Sequence, residues 1–347
     1  MALSKQQRQA IVGSLINEIG KDRFFGSFSV DSFSASYGLS KQSIYRYLAS
    51  LESETKIRKI KKGRKNAYLL EDTLFRFKYP LTNLSEDIIW NKEIKLLLKD
   101  MPEIAMKVCN YAFCEMLNNA IDHSEGTEVN ISVIINACSV SFIIEDDGIG
   151  IFTKIASAMQ LEEKRFAILE LAKGKFTTDP GSHTGEGIFF SAKASDVFGI
   201  SSDDLVFSSS SFLENEQLHD FRSLSRGGTA VFFMVFRDHS TPLSELFDKY
   251  TQDPDDYGFT KTIVPVKLLE HGDPNPTFIS RSQAKRLLVR FDRFERIELD
   301  FSEVDEIGQG FADEIFRVFQ TQHPNSQIAA VNCNKNIERM IKHVTRR

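Results

Sequence analysis

The stretch CEMLNNAIDHS, residues 114–124, contains the first side chains that could do chemistry together. On a helix at 100° per residue, Glu115, Asn119 and Asp122 fall within roughly 60° of one another. Ala112, Phe113, Met116, Leu117 and Ala120 gather on the opposite side. One face packs and the other presents a carboxylate and a carboxamide. IIEDDGIGI, 143–151, follows: a hydrophobic strand ending in Asp146, then a turn with Gly148 and Gly150. An acidic residue at the end of a buried strand can accept a hydrogen bond from an exocyclic amine, and glycines let a ring approach the backbone. In GSHTGEGIFFSAKASD, 181–196, Gly185 and Gly187 precede an apolar helical pattern. Free N–H groups at such a turn suit a phosphate. The spacing matches neither a P-loop nor a dinucleotide-binding fingerprint. The fourth piece, RGGTAVFFMVF (226–236), carries Thr229 into an apolar strand.

Elements must hold these pieces in place. The spacing predicts a helix over 103–122 and strands at 128–135 and 139–146. It predicts a helical stretch over 153–173, a helix at 188–198, and strands near 204–209 and 229–236. Taken together and in this order, the four pieces resemble the GHKL ATPases (DNA gyrase, MutL, histidine kinases and anti-sigma-factor kinases), over about residues 96–240. The resemblance implies a Bergerat α/β sandwich that binds ATP and Mg²⁺. Asn119 then corresponds to the magnesium-binding carboxamide, and Glu115 to the residue that positions or deprotonates the nucleophile. Asp146 corresponds to the aspartate that reads the adenine amino group. Gly148 and Gly150 line the adenine pocket, and Thr229 supports it. Thr184, Gly185 and Gly187 belong to the phosphate-contacting loop. Asp122 and His123 occupy acidic and histidine positions known in parts of the family. The segment 151–184 corresponds to the ATP lid, from which Lys173 and Lys175 could reach phosphates.

The ends of the chain differ from this middle. Among its 347 residues, the first 80 carry 15 Lys/Arg against 7 Asp/Glu, and the rest carry 28 against 41. A basic head on an acidic body suggests that only the head meets a polyanion. Residues 5–19, 31–37 and 41–53 read as helices, the third capped by Ser40, and KIRKIKKGRKNAYLL reads as a basic hairpin around Gly63. This order resembles winged helix-turn-helix domains in general. The resemblance implies DNA contacts from Lys41, Gln42, Ser43, Tyr45 and Arg46 of the third helix, and from Lys61, Lys62, Arg64 and Lys65 of the wing. At the other end, residues 278–319 resemble a STAS-like domain of unknown activity. The related phospho-switched antagonists end a strand in D-S-S-G. Here the string is Asp305-Glu306-Ile307-Gly308, which lacks the acceptor serine.

The expected fold class is therefore multidomain α+β: a winged helix (1–75), a connector (76–95), a GHKL domain (96–240), a linker (241–262) and a small STAS-like α/β domain (263–347). Four cysteines with no CxxC pair predict neither a disulfide scaffold nor a zinc site. The N-terminus lacks a signal-peptide pattern and no apolar run would span a bilayer, so a cytoplasmic protein without a membrane partner is expected. Residues 76–100 contain no histidine, which excludes a histidine-kinase hairpin. Three functions remain open. The first is an ATP-binding, DNA-binding regulator in which Mg-ATP binding, with slow hydrolysis, controls domain contacts and DNA or partner engagement. The second is a protein serine kinase of the anti-sigma-factor type acting on a separate STAS protein. The third is a non-catalytic nucleotide-dependent interaction module. An ATP-linked homodimer and a protein partner at the STAS-like domain are compatible with all three.

Overall fold

The structure, a computed structural model, describes residues 4–25, 28–62, 65–176, 185–210, 227–251, 258–270 and 277–346. They form a mixed α+β chain with several sheets. In chain order the elements begin with α1 (Lys5–Phe25), α2 (Val30–Tyr37), α3 (Lys41–Ser53), β1 (Ile57–Lys62), β2 (Lys65–Leu70) and β3 (Thr73–Pro80). Next come α4 (Glu86–Ile89), a π-helical turn (Trp90–Ile94), α5 (Lys95–Leu97), α6 (Glu103–His123), β4 (Glu128–Ile135) and β5 (Ser139–Asp146). Then follow α7 (Ile151–Met159), α8 (Phe166–Lys173), α9 (Gly187–Ala194), β6 (Val197–Ser202), β7 (Leu205–Ser210) and β8 (Thr229–Phe236). The last stretch holds α10 (Leu243–Lys249), β9 (Lys261–Pro265), α11 (Arg281–Leu288), β10 (Arg296–Asp300), α12 (Gln309–Asp313), α13 (Gln320–Gln322), β11 (Gln327–Val331) and α14 (Lys335–Thr345). A π-helical turn, Glu314–Phe319, joins α12 to α13. None of the described helices is long and apolar enough to cross a membrane.

Two compact units result: Met1–Gly148 with Ser195–Ser240, and Ile149–Ala194 with Thr241–Arg347. They divide the chain differently from the expected boundaries, because residues 149–194 fold with the C-terminal third.

The first unit is built on a six-stranded antiparallel sheet in the order β3-β4-β5-β8-β6-β7. Every residue of β8 is buried, since both faces of the sheet are covered. On one face, α6 packs through Phe113, whose ring lies 5.8 Å from Phe142, which stacks on Phe233 of β8 at 4.6 Å. On the other face, Phe232, Met234 and Phe236 share a core with Leu15, Ile16 and Ile19 of α1 and with Ile44, Leu48 and Leu51 of α3. Burying each such side chain contributes about 1.5–3 kcal/mol. The basic head is thus part of this unit's core rather than a separate bead. Gly20 lies so close to Cys138 that an added Cβ would come within 2.6 Å of its sulfur, and Asn17 donates to Asp238 at 2.7 Å.

Local signals explain the head's helices. Ser29 and Ser40 accept N-cap hydrogen bonds from the Ser32 and Ser43 N–H groups, and Gly38 ends α2 in the left-handed region at φ 62°. Three expectations are corrected. Residues 76–95, expected as a connector, hold most of β3, which pairs with β4, and the α4 region, whose Trp90 packs 5.6 Å from Phe113. The single helix over 153–173 is two, because Gln160 turns left-handed at φ 52° and caps α7. The helix over 188–198 stops at Ala194, and VFGISS becomes β6, buried throughout. A short apolar run buried on all sides carries no period that separates strand from helix.

The second unit has a parallel sheet in the order β11-β10-β9. The α8 and α9 helices pack around it. Phe189 and Phe190 of α9 meet Tyr250 and Phe259 with ring centroids 4.6–5.9 Å apart.

Candidate functional site

In the first unit, α6 buries Ala112, Phe113, Met116, Leu117 and Ala120 against the sheet and leaves Glu115, Asn119 and Asp122 on its other side. Glu115 and Asn119 are half-buried, Asp122 is exposed, and His123 is the last helical residue. The side-chain nitrogen of Asn119 is buried and has no hydrogen-bond partner. A buried amide left unpaired costs about 1–3 kcal/mol, so its position needs a reason, and a bound ligand supplies one.

At the end of β5, the structure converges on Asp146. Its Oδ1 accepts the N–H groups of Gly148 at 2.9 Å and Thr229 at 3.1 Å. Among the described residues Oδ2 makes no hydrogen bond, so it can accept one from a ligand. Burial pushes the Asp146 carboxyl above the ordinary aspartate value, while the two N–H groups oppose that shift. Two glycines make the close approach possible. A Cβ on Gly148 would overlap the Ser124 carbonyl, and one on Gly228, at φ 73°, would overlap the Asp146 carbonyl. Ser202, wholly buried and opposite Thr229 in the sheet, donates to the Gly228 carbonyl at 2.8 Å and fixes that strand entry. Asp147 points outward and accepts from the Thr127 N–H (2.6 Å), the Thr127 hydroxyl (2.5 Å) and the Glu128 N–H (2.9 Å), which pull its pKa down to about 2. It ties the strand end to β4, while Asp146 keeps an oxygen to spare. The end of α6, the Asp146–Gly148 turn and the Gly228–Thr229 entry therefore meet. No group of three or more His, Cys, Asp or Glu among the described residues could cage a metal ion. A magnesium ion held by one protein oxygen and by ligand phosphates still fits a lone carboxamide such as Asn119.

The other expected nucleotide residues lie in the second unit. Gly150, at φ 81°, precedes α7 and is buried. Gly185, at φ 73°, abuts the Phe176 backbone, and its carbonyl accepts the Phe176 N–H at 3.1 Å. Gly187 is the first residue of α9. Thr184 lies outside the described residues. Lys175 donates to the Arg293 carbonyl at 3.1 Å and sits 5.1 Å over the Phe294 ring, and burial lowers its pKa. Lys173 is neither solvated nor open to a phosphate. It is fully buried, pairs with Glu170 at 2.5 Å and donates to the Val289 carbonyl at 3.0 Å. Glu170 also binds Arg290 at 2.9 Å, and Arg290 donates to the carbonyls of Gly174 and Lys175. Sequence reasoning missed Arg290, which stands 120 residues from Glu170 and has no local signature.

In the basic head, α3 turns Ile44, Leu48 and Leu51 inward and leaves Lys41, Gln42, Tyr45 and Arg46 exposed. Lys41 pairs with Asp31, and Arg46 donates to the half-buried Ser43 hydroxyl at 3.1 Å. Lys61 is exposed on β1, and Lys62 faces Lys65 at the hairpin end. The side chains of Lys62 and Lys65, and all of Arg64, lie outside the described residues.

The second unit's parallel strands alternate with α11, the α12–α13 stretch and α14. Ile307 bridges to Phe278, and Gly308 caps α12. Residues 283–338 match the family model of the STAS-like domain of unknown function (DUF4325). This STAS-like segment spans α11 to the first turn of α14. No curated protein matches the chain.

Proposed function

We propose that the chain is an ATP-binding, DNA-binding regulator with a GHKL-type nucleotide site and a winged-helix head. The observation that carries the reading is the half-buried Asp146, with one oxygen accepting two N–H groups and the other without a partner among the described residues, lying beside an α6 whose Asn119 has a buried amide nitrogen with no described partner. Asp146 would accept the exocyclic amine of adenine, and Gly148 and Gly228 allow the Ser124 and Asp146 backbone to pack closely around that carboxylate. Asn119 would hold through its Oδ1 the Mg²⁺ that accompanies the triphosphate, and its unpaired Nδ2 would donate to an acceptor such as a phosphate oxygen. Bound Mg²⁺ supplies neutralisation of phosphate charge. Glu115, one turn before Asn119, would orient and deprotonate the attacking water. The roles of Gly150, Lys175, Gly185 and Gly187 rest on the family resemblance alone. For Lys175, phosphate contact requires leaving the Arg293 carbonyl. The exposed Lys41, Gln42, Tyr45, Arg46 and Lys61 support a DNA-facing head. Asp305-Glu306-Ile307-Gly308 offers no hydroxyl, so the STAS-like segment serves as a docking or sensing module rather than as a phosphoacceptor at that string.

Calorimetric titration with Mg-ATP tests the site. Saturable heat is expected for the intact chain and none for Asp146→Ala. Glu115→Ala should keep the heat and lose phosphate release. Equal heats for the intact chain and for both Asp146→Ala and Asn119→Ala would remove the proposal.

A further inference from the structure

The head holds a cavity that the nucleotide reading does not use. Residues 1–50 hold only three carboxylates, Glu18, Asp22 and Asp31, of which Glu18 lines a cavity of about 300 Å³. Two of them are committed: Asp31 pairs with Lys41, and Asp22 accepts the Phe28 N–H at 2.7 Å. Glu18 is half-buried in the cavity wall and makes neither a hydrogen bond nor an ion pair among the described residues. An unpaired carboxylate inside an otherwise basic head is a local reversal of sign.

The rest of the wall is aromatic and hydroxylic. Phe33 and Tyr37, one turn apart on α2, stack with centroids 4.2 Å apart, and Phe28 lies 6.4 Å from Phe33. Ser32 and Ser36 add hydroxyl groups, and none of the described lining residues is Lys or Arg. Aromatic faces carry the negative part of the ring quadrupole and attract cations. The carboxylate adds a full counter-charge, and the hydroxyls can accept N–H bonds. An anion would face the Glu18 carboxylate with no cationic side chain among the described lining residues, and a wholly apolar ligand would desolvate Glu18 without compensation. The volume stands at the lower bound of small-molecule sites, so the ligand is small.

We propose that the cavity between α1 and α2 binds a small organic ammonium ion, its nitrogen held between the Phe28, Phe33 and Tyr37 rings and the Glu18 carboxylate. A ligand there would tie α1, which is anchored on the sheet, to α2, which leads into α3.

The test is calorimetric titration of the full chain, without nucleotide, using tetramethylammonium chloride and separately putrescine dihydrochloride at constant ionic strength. Saturable one-site binding of at least one cation is expected. Tetramethylammonium alone would assign a methylated ammonium, and putrescine alone a primary amine. Glu18→Gln should weaken whichever binds by about tenfold, and Tyr37→Leu by about three- to tenfold. Tyr37 is 43% exposed, so its variant leaves the core intact even if Glu18→Gln perturbs α1. Failure of both cations to saturate, or unchanged affinity in both variants with native circular dichroism, overturns the proposal.

Discussion

Two polar clusters of this protein differ in kind. In the second unit, Glu170, Lys173 and Arg290 are nearly inaccessible, and the charges bind one another and the carbonyls of Gly174, Lys175 and Val289. In the first unit, Asp146 uses one oxygen on Gly148 and Thr229 and keeps the other, while Asn119 buries an amide without a partner. A cluster whose hydrogen bonds close on themselves holds structure. A cluster that stops one partner short is built to receive something. Removing a member of the first kind should cost stability, and removing a member of the second should cost binding.

The largest expected effect breaks the closed cluster. Glu170→Ala leaves Lys173 and Arg290 as buried charges without their carboxylate and should lower unfolding free energy by about 3–5 kcal/mol, read by urea denaturation. Asp146→Ala should instead lower Mg-ATP affinity by at least about tenfold, read by calorimetry, with a smaller change in the urea midpoint. A larger stability loss for Asp146→Ala than for Glu170→Ala would reverse the comparison. Gly148→Ala should cost about 1–3 kcal/mol, because the new methyl overlaps the Ser124 carbonyl.

The closed cluster also titrates. Burial pulls the Lys173 ammonium down to about 8 despite Glu170. Its folded value lies below its unfolded one, so between pH 8 and the ordinary lysine value of 10.5 the native state binds fewer protons. This group's contribution to stability therefore rises with pH across that window and is flat below it. Lys173→Met should remove the rise, read as the pH dependence of the urea midpoint. The smallest effect concerns the head. Lys61→Ala should weaken DNA binding uniformly across sequences and reduce its salt slope by about one. An unchanged slope would assign Lys61 to a face that does not meet DNA.

Much of this was legible along the chain, and the exceptions share a cause. Strands β4 and β5 follow from alternation and a clear turn, and α3 from its Ser40 cap. Asp146, Gly148 and Asn119 stood out because a short stretch of sequence carries each motif. β6 was hidden because VFGISS is apolar on both faces, and β3 because its partner β4 begins 48 residues later. Lys173 was misplaced because a lysine beside glycines reads as exposed until Glu170 and Arg290 are seen to enclose it. Ser202 had no signal at all, since its role depends on the residue opposite it in the sheet.

The sequence by itself determined most of the local elements, the basic head, the order of the four glycine- and acid-bearing pieces, and the missing serine at Asp305-Glu306-Ile307-Gly308. Periodicity, capping and composition act over a few residues, and those are properties a linear string can display. Only the tertiary structure decided that the head shares the core of the six-stranded sheet, that residues 149–194 fold with the C-terminal third, and that Asp146 keeps an oxygen without a partner among the described residues while Lys173 is fully buried against Glu170. Those outcomes turn on which distant surfaces exclude water together, and on whether each buried polar group finds its last partner within the chain.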